Sequence, residues 1–123
     1  MDILPFVIDY WKRFVTHAWV YDNGSTDGSI EYLQEFPWIT VEHFETSGMD
    51  DDVIKDIKNS CWKNSKGAAD FVVVCDIDES LYIKDVNQEL QNMIDSGYTV
   101  CGPNWSSFIS DDMPQYESDK LLH

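Results

Sequence analysis

Residues Asp70–Glu79 (DFVVVCDIDE) join an apolar run to an abrupt acidic end. Phe71–Cys75 is uninterrupted and rich in β-branched side chains, which predicts a strand buried on both faces in a parallel sheet. Asp76, Asp78 and Glu79 follow at once. Carboxylates just past the carboxyl end of a buried strand occupy the crevice where open α/β sheets bind ligands. If extended geometry persists through the motif, Asp76 and Asp78 face the same side and can share one hard cation. The plainer account is an acidic loop that only stops a strand. The sharpness of the apolar-to-acidic switch favours a site.

A second constellation lies earlier, at Tyr21–Ser29 (YDNGSTDGS). Asp22 would sit at the tip of a short strand, able to accept a hydrogen bond from a base or a sugar. Asn23, Gly24 and Ser25 are turn formers, and Gly24 lets a ligand approach the backbone closely. Alone this is an ordinary strand–turn–helix connection. With the first motif on the same sheet edge, it suits a nucleotide diphosphate bridged by a divalent metal. The metal would offset phosphate charge that an acidic cleft repels.

The elements that would hold these residues alternate along the chain. Met1–Phe14 carries an apolar helical stripe, with Pro5 early enough for a first turn. His17–Tyr21 reads as a strand, Gly28–Phe36 as a helix capped by Ser25 or Asp27, and Ile39–Phe44 as a half-buried strand. Asp50, Asp51 and Asp52 are placed to cap a helix running to about Ser65 and to complement its dipole. Val86–Ile94 reads as a helix ended by Gly97, and Tyr98–Gly102 as a last strand. This order predicts an α/β domain with a mainly parallel sheet flanked by helices. Residues 103–123 form a poorly defined tail with a weak strand signal at Ser106–Ile109.

The totals narrow the class. A chain of 123 residues is expected to form a single domain 1–123, and 43% hydrophobic content marks it as globular. A formal charge of −15 argues against a nucleic-acid partner and suits a cation. No apolar run is long enough to span a bilayer, and no signal peptide opens the chain. Cys61, Cys75 and Cys101 lack CxxC spacing, which predicts reduced, mostly buried thiols in a cytoplasmic protein rather than a zinc site.

YDNGSTDGS followed by VVVCDIDE, with NSCWKNSKGAADFV between them, resembles the nucleotide-sugar half of family 2 glycosyltransferases. The likeness is to the branch with a D-x-D-E motif, often found in bacterial polysaccharide and lipopolysaccharide loci. It runs from about Ile3 to Gly102, with Ser80 standing where that branch commonly has an aromatic residue. It implies a Rossmann-like, partial GT-A fold and a nucleotide-diphosphate sugar donor, with a uridine diphosphate sugar the first choice. Mn²⁺ or Mg²⁺ would be the cofactor, transfer would be inverting, and the acceptor is unspecified. By the same resemblance Asp22, with Asn23 and Ser25 beside it, would contact the base or ribose. Asp76 would contact ribose or metal, Asp78 would ligate the metal between the phosphates, and Glu79 would support the loop from behind. The family's first strand and its acceptor half, with the catalytic base, would lie outside this chain. It is therefore expected to be inactive alone and, in a full-length protein, cytoplasmic or peripheral to the inner face of a membrane. The absent strand would leave the His17–Tyr21 and Phe71–Cys75 strands with open edges, predicting either direct pairing or self-association.

Two other classes fit parts of the pattern. VVVCDIDES also resembles the nucleophile motif of haloacid-dehalogenase-like phosphatases, with Asp76 as nucleophile and Asp78 as general acid. That motif usually opens its domain, whereas here it lies past the middle. A non-catalytic acidic α/β interaction module is the third reading.

Overall fold

The computed structural model describes residues 3–100 and 102. Its elements are α1 (Leu4–Trp11), β1 (Ala18–Asp22), α2 (Ser29–Gln34), β2 (Ile39–His43), α3 (Asp51–Ser60) continued by a 3₁₀ turn (Cys61–Ser65), and α4 (Val86–Asp95). The chain is α/β, as its alternating pattern predicts. Its described sheet, however, is a single parallel pair, β1 beside β2.

The pair is in register from Ala18 opposite Ile39 to Asp22 opposite His43. Ala18, Val20 and Asp22 therefore share a face with Ile39, Val41 and His43. Against that face pack Leu4 and Ile8 of α1 and Leu33 of α2, which form the buried core with Val20, Ile39 and Val41 around them. Tyr32, Phe36 and Trp38 close its rim, in edge-on pairs with ring centroids 5.2 and 6.3 Å apart. Pro5 sits in the first turn of α1, where its missing N–H costs nothing.

The helix ends follow local chemistry. Asp50 caps α3, its carboxylate accepting from Val53 N–H at 3.2 Å, with Asp51 and Asp52 in the first turn. Asp85 caps α4 in the same way, accepting from Gln88 N–H at 3.0 Å. Gly97 (φ 72°) ends α4: its N–H reaches Ile94 C=O at 2.9 Å, and Tyr98 N–H reaches Met93 C=O at 3.0 Å. Those paired bonds require the left-handed conformation that glycine adopts without strain. The cap of α2 departs from expectation. Gly28 holds that position, not Ser25 or Asp27, and Asp27 accepts the Ser29 N–H at 3.1 Å.

Two predicted strands are absent among the described residues. Phe71–Cys75 is extended but joins no ladder, and Val72, Val73 and Val74 are 40–43% exposed rather than buried on both faces. A strand is defined by its neighbours, and among the described residues none is hydrogen-bonded to this segment. Between it and β1 opens a cleft of about 800 Å³, walled also by α1 and α3. Residues Tyr98–Val100 likewise leave the α4 cap without pairing. Cys101 and everything from Pro103 on, including the weak signal at Ser106–Ile109, lie outside the described residues. No described helix is long and apolar enough to cross a membrane.

Candidate functional site

Asp22 ends β1 on the core face, and this explains why a carboxylate is only 9% exposed there. Two residues on, the chain turns back at Gly24 (φ 79°), so its own backbone supplies donors. Asp22 Oδ2 accepts from Gly24 N–H at 2.8 Å and from Ser25 N–H at 3.1 Å. His43, opposite in the register, brings Nδ1 to 3.4 Å from the same oxygen and Nε2 to 3.5 Å from Glu45. Burial alone would raise the Asp22 carboxyl. The hydrogen bonds from Ser25, Gly24 and His43 outweigh it and hold the group below its ordinary value.

Asn23 is committed across the gap between two loops. Its Nδ2 donates to Thr46 Oγ1 at 2.8 Å, and its Oδ1 accepts from Thr46 N–H at 3.1 Å. This clasps the loop after β1 to the loop after β2. Asp22, Asn23 and Ser25 then wall a hollow of about 270 Å³ with Val20, Leu33 and Ile77. A space that size suits a base or a ribose, not a whole nucleotide sugar; ligand sites typically run from about 300 to 1,000 Å³. Nothing crowds the site where a Gly24 Cβ would project, so the backbone there is open to approach.

Ile77 links this hollow to the second motif, although neither Asp76 nor Asp78 walls the hollow itself. The motif is a closed turn. Glu79 N–H donates to Asp76 C=O at 3.1 Å, and Glu79 Oε2 accepts from Asp76 N–H at 2.9 Å. Ile77 and Asp78 lie at its centre, so the strand alternation expected to align Asp76 with Asp78 does not extend through them. The carboxylate of Asp76 instead meets Lys58 Nζ at 2.5 Å, and this hydrogen bond raises the lysine above its ordinary value. Asp78 is exposed, and the described residues give its carboxylate no hydrogen bond or ion pair.

Cys75, just before the turn, lines the large cleft. It is exposed as a residue, against the expected buried thiol, and Cys61 is half-buried; both are free. Desolvation at the cleft wall, then the Glu79 and Asp76 carboxylates, push the Cys75 thiol up to about 11.

His43 and Thr46 are functional-looking residues that motif reading passes over, and Lys58 is one of four lysines (with Lys55, Lys63 and Lys66) that the sequence offers first as partners of a helix dipole and only second as phosphate contacts. His43 was legible only once the β1–β2 register was known. Lys58 had a signal: Ile54, Ile57, Lys58 and Cys61 share one helical stripe and all line the cleft. A lysine on an apolar stripe needs a partner.

Among the described residues, no three His, Cys, Asp or Glu side chains converge to hold a metal ion. The donor types still fit a hard cation. Mg²⁺ is commonly held by one or two carboxylates plus substrate phosphates rather than by an all-protein cage. Asp78 is available, and Asp76 would exchange Lys58 for the ion. No protein-family model, curated protein or solved structure matches the chain.

Proposed function

We propose that this chain carries the donor-binding part of a metal-assisted glycosyltransferase with a Rossmann-like, partial GT-A fold. The observation that carries the reading is the hollow at the carboxyl end of β1. It joins Asp22, Asn23 and Ser25 to Ile77, the residue between Asp76 and Asp78. In this reading the hollow takes the base or ribose of a nucleotide-diphosphate sugar, a uridine diphosphate sugar first. Asp22 already accepts three hydrogen-bond donors, so its part is to hold the loop in shape while its remaining lone pairs face the ligand.

The diphosphate would lie toward Asp76 and Asp78, the two residues that would hold Mn²⁺ or Mg²⁺. A bound divalent ion neutralises phosphate charge and eases departure of the diphosphate. Lys58, released from Asp76, would turn to a phosphate oxygen. Glu79 keeps the turn closed by holding Asp76 N–H. The base that takes the acceptor's proton is assigned to no described carboxylate.

The phosphatase reading is weaker, because its nucleophile motif usually opens the domain, whereas here the motif follows three helices and both strands. Calorimetry with Mn²⁺ and uridine diphosphate tests the proposal. Metal-dependent heat is expected, reduced at least tenfold in Asp78→Asn, which disturbs no hydrogen bond of the described fold. Absence of metal-dependent heat, or heat unchanged by Asp78→Asn, overturns it and leaves an interaction module.

A further inference from the structure

Of the six asparagines in the chain, only Asn23 precedes a glycine. An asparagine side chain can cyclise onto the backbone nitrogen that follows it, and glycine has no Cβ to crowd the ring. Asn23 and Gly24 are both exposed, and nothing lies within 4 Å of where a Gly24 Cβ would project. Base and water therefore reach the step. In the fold, however, both reacting groups are engaged. The Asn23 amide is held at each end by Thr46, at 2.8 and 3.1 Å. The nitrogen that would attack it, Gly24 N, directs its proton at Asp22 Oδ2, 2.8 Å away.

We propose that Asn23-Gly24 is a deamidation site, and that the Asn23–Thr46 clasp is both the brake on the reaction and the contact it destroys. When the clasp opens, Gly24 N gives its proton to a base in solvent and attacks Asn23 Cγ. The N–Cγ bond forms, the Cγ–Nδ2 bond breaks, and Nδ2 takes a proton from water and leaves as ammonia. Water then opens the cyclic imide at one of its two carbonyls, which leaves aspartate or isoaspartate. Neither product rebuilds the clasp. Thr46 Oγ1 accepts from Asn23 Nδ2 while its own proton goes to Gly48 C=O at 2.5 Å. That relay runs one way, from amide to hydroxyl to carbonyl, and a carboxylate has no N–H with which to start it. The hydroxyl could turn to the new carboxylate only by giving up Gly48. Isoaspartate also lengthens the main chain by a methylene between Asp22 and the Gly24 and Ser25 N–H groups that Asp22 accepts. Either product adds a negative charge beside the Asp22 carboxylate, which is only 9% exposed. The change is one-way, because ammonia is lost.

Peptide mass mapping of the full 123-residue chain after incubation at pH 8 tests the proposal, with the same chain in urea as its unfolded reference. Asn23 is expected to convert in urea, and roughly tenfold or more slowly in the folded chain, since several hydrogen bonds must open first. Loss of ammonia changes the mass, whereas isomerisation at Asp27-Gly28 does not, so the two steps stay distinct. Thr46→Val should speed conversion of the folded chain about fivefold by removing one acceptor, and Thr46→Ser should keep it slow. In the converted chain, NMR order parameters of residues 45–48 should fall from about 0.85 toward 0.6. An unconverted Asn23 in urea overturns the site. Equal rates in the folded chain and in urea overturn the brake without recourse to any variant, as does a Thr46→Val rate equal to that of the unmodified chain. A loop as ordered after conversion as before overturns the loss of the clasp.

Discussion

The two halves of the molecule use similar residues to different ends. In residues 3–46, Leu4, Ile8 and Leu33 are 4–6% exposed, and both strands are paired. In residues 71–100 only Val86 is buried, while Val72, Val73, Val74, Ile77, Ile83 and Ile94 are each 37–46% exposed. Hydrophobicity does not separate them, since FVVVC is as apolar as AWVY. Partners do. The first half closes a β–α–β unit on itself, and each apolar face meets another within 40 residues of chain. The second supplies an extended run, a turn and a helix that join no sheet among the described residues. Apolar sequence states that a segment will be buried, not by what.

Substitutions in the two halves should therefore differ most in stability. Leu33→Ala is expected to cost about 2–5 kcal/mol, the usual range for a buried leucine, whereas Ile94→Ala on exposed α4 should cost well under 1 kcal/mol by the ordinary surface range of about 0.5. Urea denaturation of both variants measures this, and equal losses would show that α4 is buried as deeply as α2.

Cys75 sharpens the comparison by reactivity. With its thiol held near 11, only ~10⁻³ of it is thiolate at pH 8, against roughly a quarter of an ordinary thiol. In a Cys61→Ser, Cys101→Ser background, Cys75 should react with a disulfide reagent about 10-fold more slowly than free cysteine, since the greater nucleophilicity of a high-pKa thiolate offsets part of the deficit. Its rate should climb with pH until near 11. An ordinary rate at pH 8 would mean that neither the cleft wall nor the carboxylates reach the sulfur.

A smaller effect belongs to Asp22, the polar counterpart in the well-paired half. Its carboxyl lies below the ordinary value in the folded chain. The stabilisation is therefore complete above the unfolded value, about 3.9, and is lost as pH falls through the lower folded value. Asp22→Asn should cost about 1–2 kcal/mol at pH 7. Below about pH 3 the difference from wild type should shrink. A difference that stays constant with pH would assign the cost to shape rather than charge.

How much could be read from sequence follows the same division. Strand β1, helix α2 and strand β2 lie within a residue or two of the expected bounds, because each carries its period and its stop: Pro37 after α2, Asp22-Asn23-Gly24 after β1. Asp50 and Gly97 act as their positions predict, since a helix end is decided by a few adjacent residues. Asp22 was legible for the same local reason. Phe71–Cys75 was not, because a buried strand needs neighbours that no local pattern specifies. The alignment of Asp76 with Asp78 failed on a bond between Glu79 and Asp76, and the role of Lys58 on a contact made 18 positions away.

The Asn23–Thr46 clasp has a thermodynamic consequence for whatever enters the hollow. Asn23 uses both ends of its amide on one residue of the neighbouring loop, so the two loops fluctuate as one body. A ligand seated against Ser25 would find the second loop's freedom already surrendered at folding, and only residual motion would remain to oppose binding. Preorganisation of this kind lets a shallow hollow hold a small ring with few direct contacts.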